Sequence, residues 1–278
     1  MVLMIIAMLI VVGLALGSFV NALVWRVHEQ ETHKKKDKKL SVVSGRSMCP
    51  HCRHELAAQD LIPVLSWLML RGRCRYCHKP ISPQYPAVEL ATAALFAASY
   101  IWWPKPWSGA QDVIFCLWLV LLTGLMALIV YDFRWLLLPD RILYPTAVVA
   151  ALLAVVAAST ATRPLVAVLN TAGAVIIGGG VFYVLFQVSD GKWIGGGDAK
   201  LGWVLGLVAA TPARSVLFIF LAALLGSLVS LPLLAVGRLK RTSVIPFGPF
   251  LIMGLIIVQL FGQTWLAWYQ RTFLPFTI

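Results

Sequence analysis

Apolar runs long enough to cross a bilayer recur along almost the whole chain, and no other feature restricts its fold as strongly. Roughly 18 or more apolar residues in a row suggest a spanning helix, because in hydrocarbon every backbone N–H and C=O must be paired within the segment itself. Eight such runs fit, near 1–24, 87–103, 113–131, 141–159, 165–188, 198–211, 214–236 and 247–270, the sixth of them short and glycine-rich. Composition agrees: the chain is 60% hydrophobic and 12% charged, whereas soluble domains carry about a quarter charged residues. The expected fold class is an all-α polytopic membrane protein with about eight transmembrane helices.

Charge then sets an orientation. The first run has no Lys or Arg before Arg26, unlike a secretory signal, which opens with a basic region. An uncleaved first span with its N-terminus outside puts nineteen of the 23 Lys and Arg on the cytosolic side and four outside, as the positive-inside rule requires. Twelve of them fall in 25–86. The chain accordingly divides into a first transmembrane helix (1–24), a cytosolic segment (25–86) and a transmembrane core (87–278). Within the cytosolic segment, residues 28–40 suggest a flexible basic loop and 45–86 a compact part. The net charge of +12 invites a nucleic-acid reading. Its position argues against one, because juxtamembrane charges such as Lys34, Lys35, Lys36, Lys38 and Lys39 orient the chain and attract anionic membrane lipids. No nucleic-acid partner is expected.

The compact part contains CPHC at 49–52 and CRYC at 74–77, two C-x2-C turns separated by 21 residues. This spacing fits a tetrahedral zinc site, with Cys49, Cys52, Cys74 and Cys77 as ligands. A cytosolic location disfavours stable disulfides, and four thiolates leave no position open for water, so the zinc is expected to be structural. His51 and His54 are alternative ligands. Cys116, alone in a span, is expected to be a packing residue.

Only eleven acidic residues are present, and five lie in or beside spans on the cytosolic side: Glu89, Asp132, Asp140, Asp190 and Asp198. A carboxylate in a span is costly and is a functional candidate by default. Asp132 ends one span and Asp198 opens another, at similar depth. Two facing carboxylates would share one proton, and such a pair can activate a water and protonate a leaving amine. Gly195, Gly196 and Gly197, just before Asp198, would let an extended substrate strand approach closely, and Lys200 lies beside them. The plainer reading makes Asp198 a helix cap. Asp140, after Pro139, is expected to cap a helix, Asp190 to sit in a turn, and Glu89 to bond another helix.

Together these residues resemble a known family, the prepilin peptidases or type IV leader peptidases of the aspartic intramembrane class. The resemblance rests on GSFVNALVWR at 17–26, the cysteine-bearing stretch from Arg46 to Thr92, YDFRWLLLPD at 131–140, GGGDAKL at 195–201 and PFGPF at 246–250. It implies that Asp132 and Asp198 form the catalytic pair and that the four cysteines hold zinc. It also implies removal of the basic leader from type IV pilin or pseudopilin precursors, after a glycine, on the cytosolic face of a bacterial inner membrane. Many members also N-methylate the new N-terminus with S-adenosylmethionine. Gln84 departs from the family, standing where members often have Arg, and the lysine-rich loop at 34–39 is a second departure. The alternatives are another intramembrane aspartyl protease, or an ion-coupled transporter using the same aspartates. The transporter would need paired structural repeats, and none is visible. The oligomeric state is open.

Overall fold

The computed structural model describes residues 1–33, 40, 41, 45–238, 240 and 244–273. The lysine cluster at 34–39 and Arg241 lie outside the described residues. Nine α-helices form among the described residues: α1 (Val2–His33), α2 (Leu65–Met69), α3 (Gln84–Ile101), α4 (Gly109–Trp135), α5 (Asp140–Ser159), α6 (Pro164–Val188), α7 (Gly196–Ala209), α8 (Pro212–Ala235) and α9 (Gly248–Phe273). A helix forms at each of the eight apolar runs. Six of them are long and apolar enough to span a membrane: α1, α4, α5, α6, α8 and α9. The expected count of about eight is left unconfirmed at two places. With 14 residues, α7 is only about 21 Å long at 1.5 Å per residue, against a hydrocarbon core of about 30 Å. The 18 residues of α3 include Gln84, Glu89 and many small side chains, which dilute its hydropathy. Large apolar side chains such as Leu3, Val155, Leu169 and Val188 are exposed, as suits a surface that meets lipid.

The chain forms two compact units, one of Met1–Ile101 with Leu122–Val130 and one of Trp102–Leu121 with Tyr131–Ile278. In the first, α1 lies along α3 at backbone contact. A Cβ on Gly13 would lie 2.6 Å from Ala93 Cα, and one on Gly17 2.6 Å from Glu89 Cα. Only glycine permits that approach, which is how small residues join helices where lipid removes the hydrophobic drive. One turn on from Gly17, the Asn21 amide donates to Tyr85 O at 3.1 Å and accepts from Gln84 Nε2 at 3.4 Å. α1 runs on to His33, past the span end expected at residue 24. The polar continuation is held by contacts with the returning chain: Arg26 donates to Ser41 O at 3.2 Å and Gln30 to Leu40 O at 2.6 Å. The loop expected over 28–40 is therefore helical as far as His33.

In the second unit, α7 is the central helix, in contact with α5, α6, α8 and α9. Its short length and glycines suit that position. A Cβ on Gly202 would come 2.5 Å from Gly178 O, and one on Gly206 2.7 Å from Val175 Cα. Leu201, Val204, Leu205 and Val208 are buried around it.

Candidate active site and metal centre

Each C-x2-C turn folds in the same way. The N–H of the first cysteine donates to the carbonyl five residues on, Cys49 to His54 at 3.0 Å and Cys74 to Lys79 at 2.9 Å. The residue after the second cysteine turns left-handed, with φ of 56° at both Arg53 and His78. Its own N–H closes the turn onto the first cysteine's carbonyl, Arg53 to Cys49 at 2.9 Å and His78 to Cys74 at 3.0 Å. The two turns bring all four thiol sulfurs within 4.8 Å of one another, with Cys49 and Cys77 Sγ 3.9 Å apart. A tetrahedron with metal–sulfur bonds of about 2.3 Å has edges of about 3.8 Å, so the donors fit a single ion. Among the described residues the cluster is made of cysteines alone; His54 instead stacks on Tyr76, ring centroids 3.7 Å apart. Burial pushes the Cys49 thiol up to about 12, and a divalent cation reverses that cost because it binds the thiolate.

The shell around the cysteines is tied together by Asp60, which accepts from Arg75 Nε at 2.7 Å and from Tyr76 OH at 3.1 Å. Burial acts to raise the Asp60 carboxyl, but the bonds from Arg75 and Tyr76 outweigh it and hold it below its usual value. Glu89 joins the same unit: its Oε2 accepts from Val64 N at 2.7 Å. Val64 begins α2 with φ of +61°, a costly conformation for a β-branched residue.

The carboxylates lie in the second unit. Asp132 is in the last turn of α4, where Leu136 at φ 55° donates its N–H to Asp132 O at 2.9 Å and ends the helix. Its side chain is buried, with 5% of the residue exposed. Asp198 is in the first turn of α7, half-buried. Both reach the first residue of α9. A Cβ built on Gly248 would lie 2.8 Å from Asp132 Oδ2 and 3.6 Å from Asp198 Oδ1. The two carboxylates are close enough for their charges to act on each other. The Gly248 N–H is directed at the Asp132 carboxylate, whose Oδ2 is buried without a hydrogen-bond partner. The N-termini of α7 and α9 thus converge on the pair, and their partial positive charge favours an anion there.

The neighbouring candidates are placed as follows. Gly195 is the N-cap of α7, extended at φ −69° and ψ 148°, with no side-chain cap; Gly196 and Gly197 already belong to the first turn. Asp198 therefore does not cap its helix. A Cβ on Gly197 would lie 3.1 Å from Leu138 Cβ, so glycine there lets the α4–α5 connection close over the start of α7. Lys200 Nζ pairs with exposed Asp140 at 2.7 Å. Asp140 is the first residue of α5 and makes no cap hydrogen bond; the ion pair takes the place of the expected cap. Asp190 is exposed in a turn, with φ of 48° ahead of Gly191 at 74°. Gly248 was given no role by the sequence, although a glycine between two prolines in PFGPF, at the start of an apolar run, marks a close backbone approach.

Residues 11–103 match the Bacterial Peptidase A24 N-terminal domain and residues 119–231 the Type IV leader peptidase family. The chain is similar to a prepilin leader peptidase/N-methyltransferase of Bacillus subtilis, 32% identical over 95% of this chain and 98% of the relative. It is also 29% identical to one so named in Aeromonas hydrophila, over 94% of this chain and 92% of the relative. A type 4 prepilin-like proteins leader peptide-processing enzyme of Escherichia coli is 33% identical over 87% of this chain and 88% of the relative. No solved structure matches. With both domains matched in order and about a third of the residues identical over almost the full length, the chain belongs to the type IV leader peptidase family.

Proposed function

We propose that this protein is a membrane aspartic endopeptidase that removes the basic leader from type IV prepilins or pseudopilins, with Asp132 and Asp198 as its catalytic pair. The observation that carries the reading is the meeting of both carboxylates at Gly248, supported by the names of the relatives. In the cleavage step the pair holds one proton. The charged carboxylate takes a proton from a water whose oxygen attacks the scissile carbonyl carbon. The protonated carboxylic acid gives its proton to the leaving nitrogen as the C–N bond breaks. Gly195, Gly196, Gly197 and Lys200 border the pair and would line the path of an extended substrate.

The four cysteines would hold a structural zinc, whose closed sulfur shell adds no reactive position. The relatives' names also suggest transfer of a methyl group from S-adenosylmethionine to the new N-terminus. The charge bias supports an inner-membrane topology with the N-terminus outside and both the cysteine domain and the aspartates on the cytosolic side; α3 and α7 would complete eight crossings in that topology. Incubating the purified protein with a prepilin whose basic leader ends in glycine tests the proposal. Loss of the leader with the native protein, and not with folded Asp132→Asn or Asp198→Asn, supports it. Full cleavage by either variant removes that residue from the mechanism.

A further inference from the structure

The far end of the second unit holds charged and polar groups that the peptidase reading does not use. α9 starts at the carboxylate pair, and its residues near Thr264 lie about 24 Å further along at 1.5 Å per residue. There, Trp102, Trp103, Pro104, Leu260, Phe261 and Thr264 line a surface groove of about 470 Å3. That volume is within the range of small-molecule pockets, and its walls combine apolar and aromatic side chains with the polar Gln263 and Thr264. Trp102 stacks at a tilt on Phe261, ring centroids 5.6 Å apart. The Trp103 Nε1, a hydrogen-bond donor, is buried without a partner.

Next along the chain from the groove is Lys105, and near it is Arg214, in the first turn of α8. Arg214 Nη2 is buried with no hydrogen-bond partner, and no acidic side chain pairs with either cation among the described residues. A partly buried guanidinium with a nitrogen shut off from water and unpaired is costly, as are two cations held near each other. The start of α8, with Pro212 at N1 and Thr211 accepting from Arg214 N at 3.4 Å, adds a third positive element.

We propose that this end of the molecule binds one anionic phospholipid, its phosphate held between Lys105 and Arg214 and an acyl chain lying in the groove. The charge complementarity selects the lipid class. Two cations without an acid accept a net negative headgroup and repel the ammonium of a zwitterionic one. The Trp103 donor faces the glycerol and ester oxygens, where interfacial tryptophans commonly sit. The inference rests on the multi-pass membrane reading and is independent of the peptidase reading.

The test is native mass spectrometry in neutral detergent, with phosphatidylglycerol and phosphatidylcholine of identical acyl chains titrated onto the whole protein. The native protein is expected to retain one phosphatidylglycerol at about tenfold lower lipid concentration than phosphatidylcholine, equivalent to about 1.4 kcal/mol. Lys105→Gln and Arg214→Gln are each expected to remove that preference, and Trp103→Phe to weaken retention of both lipids. Lys105 is an exposed loop residue, so its variant carries the test if Arg214→Gln fails to fold. An unchanged preference in Lys105→Gln, or no preference in the native protein, overturns the proposal. A second arm adds millimolar inorganic phosphate without lipid. If phosphate alone raises the unfolding temperature as much as phosphatidylglycerol does, and only when Arg214 is present, the site binds free anions and the lipid assignment is wrong.

Discussion

Substituting alanine for Gly248 puts a single methyl group between the two carboxylates. That carbon would lie 2.8 Å from Asp132 Oδ2, closer than real Cβ contacts come, and 3.6 Å from Asp198 Oδ1, an ordinary contact. The clash is therefore with Asp132 alone. The oxygen must give way by about half an ångström, and catalytic geometry misplaced by about 1 Å loses roughly 100-fold. Overpacking a tight site costs about 1–3 kcal/mol of stability, which a multi-helix protein tolerates. The expected result is a protein that extracts and folds normally but cleaves prepilin about 10- to 100-fold more slowly, with kcat falling more than KM rises. Gly109→Ala is the matched control, since a Cβ there meets nothing within 4 Å. The assay is a time course of leader removal, followed by gel mobility and by the mass of the product, with circular dichroism to verify folding. If folded Gly248→Ala cleaves within twofold of the native rate, the point where the carboxylates meet is not where the reaction occurs.

Further substitutions probe the rest of the molecule. Asp132→Asn and Asp198→Asn should each lower the cleavage rate at least about 1,000-fold, within the range for lost general acid–base catalysis, in the same time course. Asp140→Asn should shift the unfolding temperature little and leave cleavage within about threefold, because its ion pair with Lys200 is about half-exposed on both sides and such pairs are worth about 0–1 kcal/mol. Cys74→Ser should reduce bound zinc, measured by elemental analysis, from about one per chain to none, since three thiolates and a hydroxyl make a much weaker shell. Glu89→Ala leaves the Val64 N–H without its acceptor and should cost about 1–3 kcal/mol in thermal unfolding, while Glu89→Gln, which keeps a carbonyl oxygen, should cost less.

Sequence reveals most where local rules decide. The long spans follow from runs of apolar residues that only a helix can pair in lipid, and the four cysteines from a spacing that two tight turns dictate. The part played by Gly248 and the pairing of Lys200 with Asp140 were hidden because both depend on which helix ends meet. Nothing near Gly248 in the chain says that it faces Asp132, and nothing near Asp140 says that a lysine from α7 will take the place of its cap hydrogen bond. α7 was legible as a helix but not as the centre of its unit, because its glycines are informative only once Gly178 and Val175 of α6 are seen against them. The extension of α1 to His33 was missed because its polar tail is held by contacts with residues 40 and 41 rather than by its own pattern.

Asp132 ends one helix, Asp198 begins a second, and Gly248 begins a third. Chemistry built on helix ends is indexed like the teeth of meshed gears. Inserting one residue into α4 ahead of Asp132 would turn that carboxylate by about 100° and advance it about 1.5 Å, enough to take it out of reach of α7. Lengths of these helices on the catalytic side are therefore fixed to the single residue. At their opposite ends, insertions move loops and leave the meeting point undisturbed. Natural variation in length should thus accumulate at one end of the bundle and be nearly forbidden at the other.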